Sequence, residues 1–153
     1  MEIELLEIQD FIRHHAPFAA LPDEALRDVA QSVEISYYRA NSTILNFTDK
    51  IKELYMIRSG VVEIYRRNGE LYNRLDQGKL FGQMGLLTNN KVRFPAKAVK
   101  DTLLYCIPES IFNELCEQYE AFADFVEVED STRLKQAVES KVGDANALTT
   151  SKV

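Results

Sequence analysis

Residues 54–65 read LYMIRSGVVEIY, and residues 78–87 read GKLFGQMGLL. The first stretch has two runs of apolar, β-branched and aromatic residues around Ser59-Gly60, which is typical of two strands joined by a turn. The second begins like a strand, but Gly82 and Gly85, followed by helix-forming residues, predict a tight turn into one short helix. These two stretches therefore predict a β domain that is interrupted by one short helix, which begins at a glycine-containing turn.

Short strand-like segments also lie on both sides of these stretches and recur about every 8–12 residues, the spacing of an all-β sandwich or barrel. They read VEISYY (33–38), STILNF (42–47), ELYNRL (70–75), AKAV (96–99) and TLLYCI (102–107). Asn68-Gly69 predicts a two-residue hairpin turn before ELYNRL. The fold class is therefore mainly β.

Helical patterns flank the strands. Apolar residues in 3–15 and 23–32 are spaced as on one face of a helix, and Pro108 opens a third helix that is predicted to reach about Cys116. A further helix is expected from about Glu120 to Val142, with a break near residues 129–131. The expected organisation is N-terminal helices in 1–32, a β region in 33–107, C-terminal helices in 108–142 and a linker in 143–153.

The composition excludes several classes of protein. The 153 residues are 46% hydrophobic and 27% charged, as in ordinary globular domains. No apolar run approaches the roughly 20 residues of a membrane span, and the acidic N-terminus does not resemble a signal peptide. Two cysteines without metal-ligand spacing indicate a reducing compartment, so a cytoplasmic location is expected. No catalytic or metal-ligating constellation is recognisable, which predicts that this chain is not an enzyme.

The charge is distributed unevenly along the chain. The net charge is −6, yet residues 38–100 contain twelve Lys/Arg and five Asp/Glu. A basic middle between acidic flanks is expected either for a site that binds a small anion or for acidic helices packed on a basic sheet. The charge pattern alone leaves both interpretations open.

Residues 16–140 resemble the cyclic-nucleotide-binding domain family, which includes catabolite activator protein and the regulatory subunit of protein kinase A. The resemblance implies a double-stranded β-helix, a jelly-roll-like β-roll with N-terminal helices and a C-terminal helical lid. The motifs that carry it are Pro17-Phe18 with Leu21-Pro22-Asp23-Glu24, residues 54–65, Gly78-Lys79-Leu80-Phe81-Gly82 and Leu104-Tyr105-Cys106-Ile107-Pro108 with Phe112 and Leu115.

The family's phosphate-binding cassette begins Phe-Gly-Glu and ends in Arg and a small residue. The resemblance implies that the glutamate accepts a ribose hydroxyl proton and that the arginine meets the cyclic phosphate. This chain has Gln83 in place of the glutamate, and the bulky Phe94 follows Arg93. Counting forward from Gln83 favours Arg93 as the phosphate ligand, whereas counting back from Ile107 places Val92 there. The candidate ligand-binding residues are Phe81, Gly82, Gln83, Met84, Gly85, Arg93 and Phe94.

The resemblance implies a regulatory module that senses cyclic AMP, cyclic GMP or a related small anion, without a cofactor, and signals through its C-terminal helices. A homodimer through these helices is expected, and neither DNA nor membrane is expected as a partner of this chain. Residues 93–96 and 148–153 resemble the N-terminal part of larger bacterial signalling proteins with CBS and nucleotidyltransferase-like regions. The alternatives are a degenerate domain that serves dimerisation only and the sensor half of a transcription regulator.

Overall fold

The computed structural model describes residues 2–127 of the chain, and the statements below refer to these residues. Eight strands form two four-stranded antiparallel sheets, so the mainly β fold predicted from the sequence is confirmed. The strands are β1 (Glu34–Tyr38), β2 (Thr43–Leu45), β3 (Glu53–Ser59), β4 (Val62–Tyr65), β5 (Leu71–Leu75), β6 (Leu80–Phe81), β7 (Ala96–Ala98) and β8 (Thr102–Pro108).

The strand order shows how the chain winds between the two sheets. One sheet has the order β1-β8-β3-β6 and the other β2-β7-β4-β5, and the chain moves from one sheet to the other after β1, β2, β3, β5, β6 and β7. Strand residues of both sheets, such as Leu54, Met56, Val62 and Leu104, are fully buried in one core. This winding is that of a β-roll, as the resemblance implied.

Helices lie before, within and after the roll. They are α1 (Glu2–Arg13), a short 3₁₀ turn (Phe18–Ala20), α2 (Asp23–Ser32), α3 (Gln83–Leu87) and α4 (Glu109–Gln118), and residues 120–127 are also helical. Asp23 and Glu24 lie in the first turn of α2, where carboxylates interact favourably with the helix dipole. The predicted break at residues 129–131, the remainder of the helix to Val142 and the linker lie outside the described residues.

The hairpin between β4 and β5 differs from its predicted form. The N–H of Arg66 donates to the carbonyl of Glu70 (2.7 Å), and the N–H of Gly69 donates to the carbonyl of Arg66 (2.9 Å). The loop therefore has three residues, 67–69, and Gly69 takes the left-handed conformation with φ +94°. The sequence correctly placed a hairpin here, but the two-residue turn is wrong because a type I turn followed by a left-handed glycine replaces it.

Three phenylalanines join the helices on either side of the roll. The Phe122 ring lies 5.5 Å from that of Phe18 and 6.1 Å from that of Phe112, both in edge-to-face geometry. Phe122 and Val126, two apolar residues of the C-terminal helical segment, are buried in the chain's own core, while Phe125 is half-buried. A homodimer through the C-terminal helices therefore stays a prediction that these two buried residues do not support.

We predict that Phe122→Ala destabilises the chain by about 3–5 kcal/mol, because it removes a buried ring that two other rings contact. Chemical denaturation measures the loss. Phe125→Ala, in the same helical segment but half-buried, is the matched control and should cost clearly less. Equal losses for the two variants would show that Phe122 does not anchor the helices.

Candidate ligand-binding site

A cavity of about 40 Å³ lies between the roll and α3. Its walls come from both sheets, from α3 and from the segment before β7. The lining residues are Leu45, Ile51, Ile64, Tyr72, Phe81, Gly82, Gln83, Met84, Gly85, Val92, Arg93 and Phe94. All seven candidate residues from the sequence line this one cavity.

Gly82 makes the turn that opens α3. Its φ is +95°, the left-handed region that side chains disfavour. A Cβ at this position would lie 2.9 Å from Cδ1 of Ile51 and 3.2 Å from the ring of Tyr55. Both the backbone conformation and the close packing therefore require glycine, which explains why the expected turn into a short helix occurs here.

Gly85 lets α3 lie against the backbone of the following loop. A Cβ on Gly85 would approach the carbonyl oxygen of Lys91 to 2.8 Å and Cγ2 of Ile51 to 2.7 Å. The N–H of Asn90 donates to the carbonyl of Gly85 (2.8 Å), and the N–H of Ile51 donates to the carbonyl of Asn90 (3.0 Å). These contacts fix the position of α3, whose residues Gln83, Met84 and Gly85 line one part of the cavity.

Gln83 is the first residue of α3, and its side chain is buried. The residue is 1% exposed, and neither its amide oxygen nor its amide nitrogen has a hydrogen-bond partner among the described residues. An unsatisfied buried polar group costs about 1–3 kcal/mol, and most such groups in native proteins are paired with protein or water. Since Gln83 lines the cavity, a molecule in the cavity would be placed to satisfy this amide.

Val92 and Arg93 take different positions at the cavity. Val92 is 4% exposed, and its backbone pairs with Thr48 (3.1 Å) and Asp49 (2.8 Å). Arg93 also lines the cavity but is exposed, and it has no hydrogen bond or ion pair with any described residue. Of the two residues that sequence counting left open, Val92 belongs to the wall and Arg93 to the rim.

A tilted aromatic pair also lines the cavity. Ile64 is opposite Asn73, whereas Tyr65 is opposite Leu71, so Tyr72 is the extra residue of a β-bulge. Bulges redirect side chains, and Tyr72 lines the cavity, where its ring centroid lies 4.6 Å from that of Phe94. Phe94 therefore both lines the cavity and packs on the roll. The sequence missed Tyr72, because no local pattern marks the bulge.

One polar contact connects this site to α4. The side-chain amide of Asn90 donates to the carboxylate of Glu109, the first residue of α4, and also to the carbonyl of Ile51 (3.3 Å). The N–H of Glu109 donates to the carbonyl of Lys52 (2.9 Å). The loop that holds α3 is therefore hydrogen-bonded to the start of the C-terminal helices.

No metal site is found in the described part of the chain. No cluster of three or more His, Cys, Asp or Glu side chains that could hold a metal occurs within residues 2–127. Cys106 and Cys116 are free, and burial raises the pKa of each thiol to about 11, so both are protonated at neutral pH. None of the helices in this part is both long and apolar enough to span a membrane.

Residues 35–119 match the model of the cyclic nucleotide-binding domain, so this chain belongs to that family. Such domains are regulatory binding modules rather than catalysts, in agreement with the expectation that the chain is not an enzyme. No protein of curated function matches the chain significantly.

Solved structures share the fold. Catabolite activator protein of Thermus thermophilus is 25% identical, with 82% of this chain and 59% of that one covered and a TM-score of 0.66. The sensor domain of the transcriptional regulator DNR of Pseudomonas aeruginosa is 19% identical (91% and 95% covered, TM-score 0.75). The regulatory subunit of a cAMP-independent protein kinase A of Trypanosoma brucei is 15% identical (92% and 50% covered, TM-score 0.80). The chain thus spans half the length of the last protein.

We predict that Gly85→Ala lowers stability, although alanine normally favours a helix by about 1 kcal/mol over glycine. The added methyl group would meet the Lys91 carbonyl, a backbone atom that cannot move aside without shifting the loop. Thermal unfolding measures the change. Gly69→Asn is the control, because a Cβ at residue 69 meets nothing within 4 Å and asparagine tolerates positive φ. A Gly85→Ala chain as stable as the wild type would contradict the close contact.

Proposed function

We propose that this chain is a regulatory sensor that binds a cyclic nucleotide, cyclic AMP or cyclic GMP, in the cavity beside α3 and signals through its C-terminal helices. The observation that carries the proposal is the buried amide of Gln83, which lines the cavity without a partner among the described residues. Family membership and the position of Arg93 at the rim support it. The seven candidate residues are proposed as the ligand-binding set.

In this proposal, Gln83 accepts a hydrogen bond from the ribose hydroxyl, and Arg93 provides the cation for the cyclic phosphate. A neutral hydrogen bond contributes about 0.5–1.5 kcal/mol, compared with about 1.5–3 kcal/mol for one to a charged group. The amide therefore holds the ribose more weakly than a carboxylate would, and the phosphate contact becomes the larger part of the binding energy. Val92 contributes only apolar surface to the wall of the cavity.

Binding requires the cavity to enlarge. Its 40 Å³ is far below the roughly 300–1,000 Å³ of pockets that enclose small molecules. Phe94, whose ring contacts that of Tyr72, is the half-buried side chain whose movement would open the space. We propose that the described conformation is the closed state and that a nucleotide shifts the population towards an open one, to which it binds more tightly.

We predict that Phe94→Ala increases the affinity for cyclic AMP about threefold to tenfold, because opening no longer breaks an aromatic pair worth about 0.5–1.5 kcal/mol. Isothermal calorimetry measures the affinity. Phe47→Ala, which removes an aromatic ring that does not line the cavity, should leave the affinity unchanged. The proposed function fails if neither the wild type nor Phe94→Ala binds cyclic AMP or cyclic GMP at millimolar concentration.

We predict that Arg93→Ala weakens cyclic nucleotide binding about tenfold or more, since it removes a charge-assisted contact to the phosphate. The same titration tests it. Lys100→Ala, another exposed cation that does not line the cavity, serves as the control. An unchanged affinity in Arg93→Ala would mean that Arg93 is not the phosphate ligand.

Signalling through the C-terminal helices is proposed to use the contact between Asn90 and Glu109. We predict that Asn90→Gly, which retains the positive φ of residue 90 but removes the amide, still binds the ligand but reduces the ligand-induced change in α4. Hydrogen exchange of α4 amides with and without ligand measures this change. Asn89→Gly is the control, and an equal response in both variants would exclude the Asn90 contact as the link.

The wider context also stays a proposal. A cytoplasmic location follows from the cysteine usage, whereas a homodimer and a place at the N-terminus of a larger bacterial protein with CBS and nucleotidyltransferase-like regions follow from the resemblance. The sensor half of a transcription regulator is a second candidate, because the similar Pseudomonas aeruginosa domain belongs to such a protein. A domain that serves dimerisation only is a third, which the small volume of the cavity favours. Light scattering of the chain tests the dimer.

A further inference from the structure

The charges around the cavity are unbalanced. Among the described residues that line it, Arg93 has the one charged side chain, and no carboxylate is present. Lys50 and Lys91, which are next in sequence to the cavity-lining residues Ile51 and Val92, are directly opposite each other in an isolated antiparallel bridge. Like charges opposite each other in a sheet repel, so this pairing is unfavourable unless a negative charge lies nearby.

These three cations have no acidic partner within residues 2–127. Lys50, Lys91 and Arg93 are all exposed, and none makes an ion pair there. Two carboxylates of adjoining segments accept hydrogen bonds: Asp49 from the N–H of Asn46 (3.0 Å), and Glu109 from the side-chain amide of Asn90. Arg93 at the rim and the two lysines of the bordering segments are therefore cations that no described carboxylate pairs with.

The amide of Gln83 adds a second constraint. It has two N–H donors as well as an oxygen acceptor, and both of its polar atoms are unpartnered among the described residues. A lone hydroxyl that donates to the amide oxygen leaves the amide nitrogen unsatisfied. An anionic oxygen next to a hydroxyl satisfies both atoms, since the anion accepts from the nitrogen while the hydroxyl donates to the oxygen.

We propose that this site prefers a phosphomonoester dianion, such as a nucleoside monophosphate, to a cyclic phosphodiester, which carries one negative charge. The inference rests on the proposed function, because it concerns the same cavity and the same opening. A phosphomonoester carries about −1.5 to −2 charges at neutral pH. The neutral amide of Gln83 does not repel this charge, as a carboxylate at the same position would. Arg93, Lys50 and Lys91 attract it.

The test compares adenosine 3′-monophosphate and adenosine 5′-monophosphate with cyclic AMP by calorimetry on the full chain. At low salt we expect at least one monophosphate to bind about fivefold or more tightly than cyclic AMP, with an advantage that shrinks as salt screens the rim. Gln83→Glu should remove this preference, because it places a carboxylate in the cavity. Thermal unfolding checks that this variant is folded.

A variant at an exposed residue tests the same preference without a change at the buried residue 83. Lys91→Ala should weaken monophosphate binding more than cyclic AMP binding, while Lys100→Ala should change neither. Tighter binding of cyclic AMP than of both monophosphates by the wild type overturns the inference and leaves the proposed function standing. Monophosphate binding without cyclic nucleotide binding supports the inference and overturns the proposed cyclic ligand. Absence of binding by all three, in Phe94→Ala as well, overturns both.

Discussion

The site depends on the contact between α3 and the backbone of residues 90–92. Because Gly85 has no side chain, the helix approaches the Lys91 carbonyl closely enough for Asn90 to hydrogen-bond to Gly85, and Asn90 in turn pairs with Ile51. A helix of five residues has little stability of its own, since helix nucleation is costly. The neighbouring segments, rather than the helix itself, therefore determine where Gln83 lies.

That placement explains how a polar amide comes to be buried in an otherwise apolar region. Gln83 is buried on α3, and α3 is held by its contacts with Ile51 and Asn90. The packing around Gln83 offsets the free-energy cost of burying its unsatisfied amide. Such an arrangement is more typical of binding sites than of protein cores. Phe94 and Tyr72 form another part of the lining, and in the proposed function Phe94 is the side chain that moves.

Local patterns were sufficient to predict the strands, the hairpin and the turn at Gly82. The strand patterns and the turn-forming residues that mark these elements each extend over only a few neighbouring positions. They could not decide between Val92 and Arg93, since that depends on which residue pairs with Asp49 in another segment. The bulge at Tyr72 and the contact of Asn90 with Glu109 were likewise beyond the sequence. Each arises from the three-dimensional register of segments that are not adjacent along the chain.

The bulge at Tyr72 also bears on how such a domain could diversify. Removing one residue from this hairpin would restore regular pairing between β4 and β5, and consecutive side chains of a strand face opposite sides. The ring that contacts Phe94 would then face solvent, while the paired strands and the core beneath them could remain as they are. A single-codon deletion in a surface hairpin is thus a short evolutionary route between an obstructed and an accessible ligand site.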